Sequence, residues 1–146
     1  KIKLIVSGNK YIPFKEKFEA VVKKTIDKEL LIPEIAIDSP LELSDITPKF
    51  FRILKQMGPF GPKNMKPVFT THSVRDNGYG KRVGADKSHL KLNIINGADQ
   101  KTYNAIGFGL GDKITSTQND FDIAYNLDEN EWNGNTSIQL LIKDIK

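Results

Sequence analysis

With 146 residues the chain fits one domain or two small ones, and 38% apolar against 27% charged residues is too rich in core formers for a disordered chain. No apolar run approaches the roughly 18 residues of a membrane span, and the lack of cysteine excludes disulfide scaffolds, thiolate metal sites and a cysteine nucleophile. The net charge of +4 is unevenly laid out: residues 1–67 hold 13 basic and 8 acidic groups, 68–101 hold six against three, and 102–146 hold three against seven.

A positive strip on an otherwise balanced chain suits a local polyanion site, or else a set of solvated strand faces. The chain starts at Lys1 and enters the strand-like run Lys3-Leu4-Ile5-Val6 with no targeting peptide ahead of it. It reads as an internal or C-terminal segment of a longer protein.

Pro13 is expected to open a helix at a position where its missing N–H costs nothing. Phe14, Phe18, Val21, Val22 and Ile26 recur at helical spacing behind it. Glu34–Asp38 alternates as a short strand ended by Ser39-Pro40. Thr47-Pro48 is a cap followed by proline at the first helical position, with Phe50, Ile53, Leu54 and Met57 as the buried stripe and Gly58 as the stop. Phe14, Phe18, Val22, Phe50, Leu54 and Met57 are expected to form a small core of their own.

Residues 58–67 contain three prolines and two glycines among Gly58-Pro59-Phe60-Gly61-Pro62 and Lys63-Asn64-Met65-Lys66-Pro67. They can continue neither helix nor central strand, so they mark the boundary between residues 1–67 and 68–146. Phe60 and Met65 are expected to pack against a neighbour.

Beyond the boundary the texture becomes strands: Val68–Arg75, Leu90–Ile95, Thr102–Phe108, Asp122–Leu127 and Ser137–Ile142. Asn133-Gly134 signals a tight hairpin, and residues 109–119 leave room for a short helix or turn. Five strands with an insertion between the third and fourth match the five-stranded OB barrel, with a small sandwich or SH3-like barrel as the competitor. The fold expected is therefore α+β, a helix and strand subdomain followed by a β-barrel. Phe69, Ile94, Ile106, Phe108, Phe121, Ile123, Tyr125, Ile138, Leu140 and Ile142 are its core candidates.

Several stretches carry a resemblance. Leu43-Ser44-Asp45-Ile46-Thr47, then Leu54-Lys55-Gln56-Met57-Gly58-Pro59-Phe60-Gly61 with Asn64, Pro67 and Phe69, resembles the end of the DHH-associated domain of RecJ-type exonucleases. His89-Leu90-Lys91-Leu92, Ala105-Ile106-Gly107-Phe108-Gly109, and Asn130-Glu131-Trp132-Asn133-Gly134 with Gln139-Leu140 resemble that family's OB domain. The resemblance runs from about Tyr11 to Lys146. It implies the C-terminal part of a cytoplasmic single-strand-specific 5′→3′ exonuclease of DNA repair and recombination.

The family's Asp-His-His motif and metal-binding carboxylates are absent from this sequence. Mn²⁺ or Mg²⁺ is therefore implied for a catalytic core elsewhere, and no cofactor for this segment. Lys63 stands where the family's loop has a glycine, so either Lys63 takes a positive φ or the loop differs.

No catalytic or metal-binding set emerges from the residues themselves. Two-metal cleavage needs converging carboxylates, whereas His72 and His89 fall on expected strands without an acidic motif. Asp128, Glu129 and Glu131 read as a solvated turn. Gly107-Phe108-Gly109-Leu110-Gly111 lacks the Lys-Ser/Thr ending of a phosphate loop.

Binding is the better case. An unpaired strand needs cations for its phosphates and flat rings for its bases, and strands two and three with the first and fourth hairpin loops supply Arg75, Tyr79, Lys81, Arg82, Lys87, His89, Lys91 and the hairpin residue Trp132. Trp132 could instead brace its hairpin along the barrel wall. The expected partners are single-stranded DNA, the catalytic domains of the same chain and, by resemblance, single-stranded-DNA-binding protein. The alternatives are a protein-interaction module that takes an acidic peptide tail, or a brace with little affinity of its own.

Overall fold

The computed structural model describes residues 5, 7–31, 34–96 and 99–146, and its packing groups the chain as Lys1–Glu34 and Ile35–Lys146. The strand expected over Lys3-Leu4-Ile5-Val6 falls largely outside the described residues. In the first unit, helix α1 (Gly8–Thr25) starts five residues ahead of Pro13, which lies inside it. The proline ring leaves the Asn9 carbonyl without its intrahelical donor, at an exposed position. None of the residues of α1 is buried; the Phe14 and Phe18 rings stack on each other 5.8 Å apart, and Glu19 pairs with Lys23 at 3.0 Å. Of the six residues expected to form a small core, Phe14, Phe18 and Val22 lie in this unit, where none is buried, and Phe50, Leu54 and Met57 lie in the second.

In the second unit the elements are β1 (Ser39–Pro40), α2 (Pro48–Gln56), β2 (Phe69–Asp76), β3 (Lys81–Val83), β4 (His89–Asn96), β5 (Asp99–Gly107), β6 (Phe121–Trp132) and β7 (Asn135–Ile145). They form one seven-stranded sheet in the order β1-β2-β6-β7-β5-β4-β3, with an additional pairing of β2 to β4 through Arg75 and Asp76. That last pairing curls the sheet into a partial ring. The β5–β7 pair is parallel, Asn104 opposite Gln139, and the other pairings around the ring are antiparallel. This is OB-fold connectivity with two short strands added, so the expected count of five becomes seven.

Both additions escape a pattern search for a physical reason. β3 is only three residues long, too short for alternation to register. β1 lies at Ser39–Pro40 rather than 34–38 because the backbone bonds that fix it come from β2 and its approach, Asp38 N to Val68 O and Leu41 N to Thr70 O, and not from its own side chains.

Alternation places Leu90, Leu92 and Ile94 of β4, Tyr103 and Ala105 of β5, Ile123, Tyr125 and Leu127 of β6, and Leu140 and Ile142 of β7 in one core. Ile46, Phe51 and Leu54 close one end of it. Helix α2 therefore belongs to the core of the sheet: Leu54 is buried as expected, and Phe51 is buried as well. Phe50 is half-buried and packs on the core with its ring 6.0 Å from that of Phe69, and Ile53 and Met57 face solvent. Phe69, Ile94, Phe121, Ile123, Tyr125, Leu140 and Ile142 are core as expected, Ile106 and Ile138 are half-buried, and Phe108 is 63% exposed.

The Thr47 hydroxyl accepts from Phe50 N at 3.1 Å with Pro48 behind it, the cap that the sequence announces. Thr47→Ala is expected to cost about 1 kcal/mol, read as a lower urea midpoint at unchanged slope. The 58–67 connector is pinned as well. Gly61 and Asn64 exchange backbone bonds of 2.8 and 2.9 Å, and the Asn64 amide donates to the Met57 and Pro59 carbonyls at 3.0 Å each. Lys63 there has φ 72°, the left-handed backbone expected where the family has glycine. Phe60 is half-buried and borders a small hollow beside α2 with Phe51, Leu54 and Leu127, whereas Met65 is exposed.

Between β5 and β6 a 3-10 segment, Gly111–Thr117, fills the expected slot. Asn133 (φ 50°) and Gly134 (φ 76°) make the two-residue hairpin. Among the described residues no helix is long and apolar enough to cross a membrane.

Candidate nucleic-acid interface

The core residues of β4 fix what its other face shows. With Leu90, Leu92 and Ile94 inside, His89, Lys91 and Asn93 point outward, because successive side chains alternate. Register extends that outer face sideways. Lys81 and Val83 of β3 lie opposite Lys91 and His89, and Ile106 of β5 lies opposite Lys91 on the other side. Ile106 in turn neighbours Leu141 of β7. Two lysines thus face each other across one strand pair, an arrangement in which like charges repel. Neither has a carboxylate partner among the described residues.

The other expected residues divide. Arg82 lies opposite the buried Leu90, so it leaves the ribbon on the face away from Lys91. There its guanidinium meets Asp112 of the 3-10 segment at 3.3 Å. Arg75 forks onto Asp120, with Nη2 donating to Oδ2 at 3.1 Å; that hydrogen bond, with the charge pairing, raises the arginine pKa and holds the Asp120 carboxyl below its ordinary range. Both arginines are therefore occupied by carboxylates, and the structure does not bring them to the lysine row.

Lys87 (φ 57°) lies in the β3–β4 connection, exposed and without an ion partner among the described residues. The neighbouring Asp86 accepts from Ser88 N at 3.1 Å, and hydrogen bonding to Ser88 keeps its carboxyl below the usual range.

Tyr79, 68% exposed, stands on a loop whose sequence points only to its glycines. Asp76 holds that loop: Oδ2 accepts from Gly80 N at 2.6 Å and Oδ1 from Asn93 N at 2.9 Å. The available signal is the Asp-Asn-Gly turn itself, since aspartate side chains commonly accept from backbone a few residues on.

His89 is held by its neighbours. Its Nδ1 accepts from Gly109 N at 3.2 Å and lies 3.1 Å from Ser88 Oγ, and its ring meets Phe108 in a T at 5.1 Å. Trp132 is 73% exposed at the end of β6, so it does not lie along the wall of the sheet. It faces Asn135, six positions along β7 from Leu141. At strand rise that is about 20 Å from the lysine row, so Trp132 is not brought together with the lysines.

A second concavity has no counterpart in the sequence pattern. Between α2 and the starts of β5 and β7 runs a groove of about 790 Å³ with Ile46, Phe51, Tyr103 and Ile138 as its apolar lining and Arg52 and Lys101 among its cations. Lys101 Nζ donates to Ile46 O at 3.3 Å and lies 4.8 Å over the Tyr103 ring. Its residues come from segments far apart in the chain, and no local pattern brings them together.

Nothing in this site resembles a cutting centre. Among the described residues no three His, Asp or Glu converge to hold a metal. His72 Nδ1 is 2.8 Å from Asp122 Oδ2, and Asp122 also accepts from Ser73 N at 3.0 Å. The bond from His72 is the main reason the Asp122 carboxyl sits below its ordinary range. Asp128 and Glu129, expected in a solvated turn, lie on β6 and pair with Lys66 (3.2 Å) and Lys55 (2.7 Å). These donor sets are already satisfied and do not fit a catalytic divalent ion.

Residues 37–144 match the family described as the RecJ OB domain. Over 97% of this chain it is 27% identical to "Single-stranded-DNA-specific exonuclease RecJ" of Escherichia coli K12, covering 24% of that protein. The enzyme of the same name from Bacillus subtilis is 28% identical over 89% of this chain and 16% of its own length. The chain thus spans about a quarter or less of these relatives. Among solved structures, RecJ in complex with Mg²⁺ from Thermus thermophilus superposes with a TM-score of 0.66 at 22% identity, over 97% of this chain and 21% of that one. A second Thermus structure, with Mn²⁺, gives 0.64 at the same identity.

Proposed function

We propose, from the premise that this chain belongs to the RecJ OB domain family, that it grips single-stranded DNA for a 5′→3′ exonuclease of repair and recombination. The cutting, with its Mn²⁺ or Mg²⁺, is assigned to catalytic domains outside the described residues. Residues 1–36, ahead of the family match, are assigned to the end of a DHH-associated domain in a cytoplasmic enzyme; α2 and the 58–67 connector, expected with them, lie within the family match, and α2 packs into the core of the sheet.

The observation that carries the reading is the opposed pair Lys81 and Lys91. Cross-strand Cβ atoms stand about 5 Å apart, so a phosphate lodged between the two ammonium groups relieves their repulsion. Lys87 extends the charge along the strand path and Tyr79 offers an exposed ring for a base. Arg75 and Arg82, held by Asp120 and Asp112, are second-rank contacts.

Labelled single- and double-stranded oligonucleotides titrated at two salt concentrations test this. Lys81→Ala/Lys91→Ala is expected to weaken single-strand binding about tenfold and to flatten the log–log salt dependence by about 0.7, the value for one lost phosphate contact. Arg82→Ala should do less. Equal affinity for duplex, or a double variant indistinguishable from the parent, overturns the reading.

The groove beside α2 favours a second reading, capture of an acidic peptide with apolar side chains, such as the tail of a single-stranded-DNA-binding protein. Lys101 and Arg52 supply positive charge beside an apolar trough. A labelled acidic peptide that is retained, is lost on Lys101→Ala, and is not displaced by oligonucleotide would support it as a site separate from the lysine row.

A further inference from the structure

Phe108, a core candidate by its side chain, is instead one of the most exposed aromatic residues of this sheet. Register explains why. Tyr103 and Ala105 point inward on β5, and Gly107 follows them; a Cβ on Gly107 would come within 2.8 Å of the Leu110 side chain. The next residue must therefore face out, and Gly109 (φ 73°) turns the chain immediately afterwards. Because Leu90 pairs with Gly107 and Lys91 with Ile106, Phe108 follows on the same side as Ile106, beside His89 and next to the row that holds Lys81 and Lys91.

The His89 ring supports it. His89 is held by Gly109 N–H at Nδ1 and is confined on another side by Gly84, where a Cβ would lie 3.2 Å from its Cδ2. Its ring meets Phe108 at 80° and 5.1 Å, which braces one part of the phenyl ring and leaves the rest open to solvent. An apolar ring kept at the surface, steadied by a buttress and flanked by lysines without ion partners among the described residues, has the chemistry of a platform for an unpaired base.

We infer that Phe108 is a base-stacking platform of this surface, with His89 as the positioning residue that holds its ring. The inference rests on the single-strand reading above. A base laid on Phe108 keeps its sugar-phosphate within reach of the lysine row, so stacking and charge act on neighbouring parts of one nucleotide. Stacking on a ring is tolerant of base identity, and the surface should accept any sequence but not a backbone stripped of bases.

The test uses the full chain and two probes of equal length, an oligothymidylate and its abasic sugar-phosphate counterpart. Phe108→Leu is expected to weaken the oligothymidylate about tenfold while leaving the abasic probe and the salt dependence unchanged; Phe108→Tyr should retain binding. In a Trp132→Phe background, Phe108→Trp makes the only indole of the chain the platform itself, and its emission should be quenched by the oligothymidylate and not by the abasic probe. If Phe108→Leu leaves both probes unchanged or weakens both equally while Lys81→Ala/Lys91→Ala still flattens the salt dependence, the charged row stands and the platform is overturned. If the parent chain prefers neither single strands nor bases, both readings fall together.

Discussion

Gly111→Ala is expected to destabilise the chain by about 3 kcal/mol. Gly111 opens the 3-10 segment between β5 and β6, is buried, and donates to Ser88 O at 2.8 Å. A Cβ there would lie 2.5 Å from Lys87 O and 2.9 Å from the Ser88 carbonyl. These are backbone atoms, which cannot swing aside as a side chain can. Relief requires the 3-10 segment to lift off the β3–β4 connection, which combines an overpacking cost of about 1–3 kcal/mol with the loss of a buried hydrogen bond worth about 1 kcal/mol. Gly61→Ala, with open space around its Cβ, is the control and should stay within about 0.5 kcal/mol. Urea unfolding of the two variants separates them. Equal midpoints would show that the close approach at Gly111 is not what holds the segment in place. Because the same connection carries Lys87 and leads into His89, the variant should also weaken oligonucleotide binding without altering any binding side chain.

The second large effect is alkaline. Tyr125 is fully buried, and burial pushes its phenol up to about 12 from an ordinary value of 10.0. Its hydroxyl lies 2.9 Å from Thr71 Oγ1, which in turn donates to Leu41 O at 2.6 Å. The threonine proton is thus committed to the carbonyl, and Tyr125 is the donor to Thr71. The unfolded chain loses its proton near the ordinary value of 10.0 while the folded chain keeps it until about pH 12. Between those values the unfolded state binds fewer protons, so this contribution to stability is constant below about pH 10 and falls above it. At about 1.4 kcal/mol per pKa unit, the loss reaches about 1 kcal/mol by about pH 11 and approaches about 3 kcal/mol beyond about pH 12. Tyr125→Phe removes this dependence and costs about 1 kcal/mol at neutral pH for the lost bond. Urea unfolding at about pH 7, 9 and 11 should show the parent losing its advantage over the variant as pH rises. A gap that stays constant across the series would mean that burial does not hold the proton on this phenol.

Most of the sheet is legible in the sequence because its signals are local. The β4 alternation, the Thr47 cap and the Asn133-Gly134 hairpin each need only a few neighbouring residues, and each is where the sequence indicates. The failures follow from non-local causes. Pro13 reads as a helix start, yet an exposed helix tolerates it a turn further in. Phe51, next to the expected Phe50 and equally apolar, is buried beside it only because the sheet lies on that side of α2. Phe108 reads as core because it is a phenylalanine, although parity with Gly107 and Ala105 already turns it outward. The lysines of the candidate site can be named from sequence, but the partners of its arginines cannot. Asp112 and Asp120 claim Arg82 and Arg75 from 30 and 45 residues away, beyond any local pattern.

The two ends of the strand order bear on how molecules of this chain meet one another. β1 has two residues, one of them Pro40, which has no N–H to offer, and β3 has three, beginning with Lys81. A sheet that terminates in such short, charged or donor-poor rims gives a neighbouring chain little template for strand addition. The same lysine that faces Lys91 therefore also guards against self-association, and neutralising it for a binding experiment removes part of that protection against aggregation.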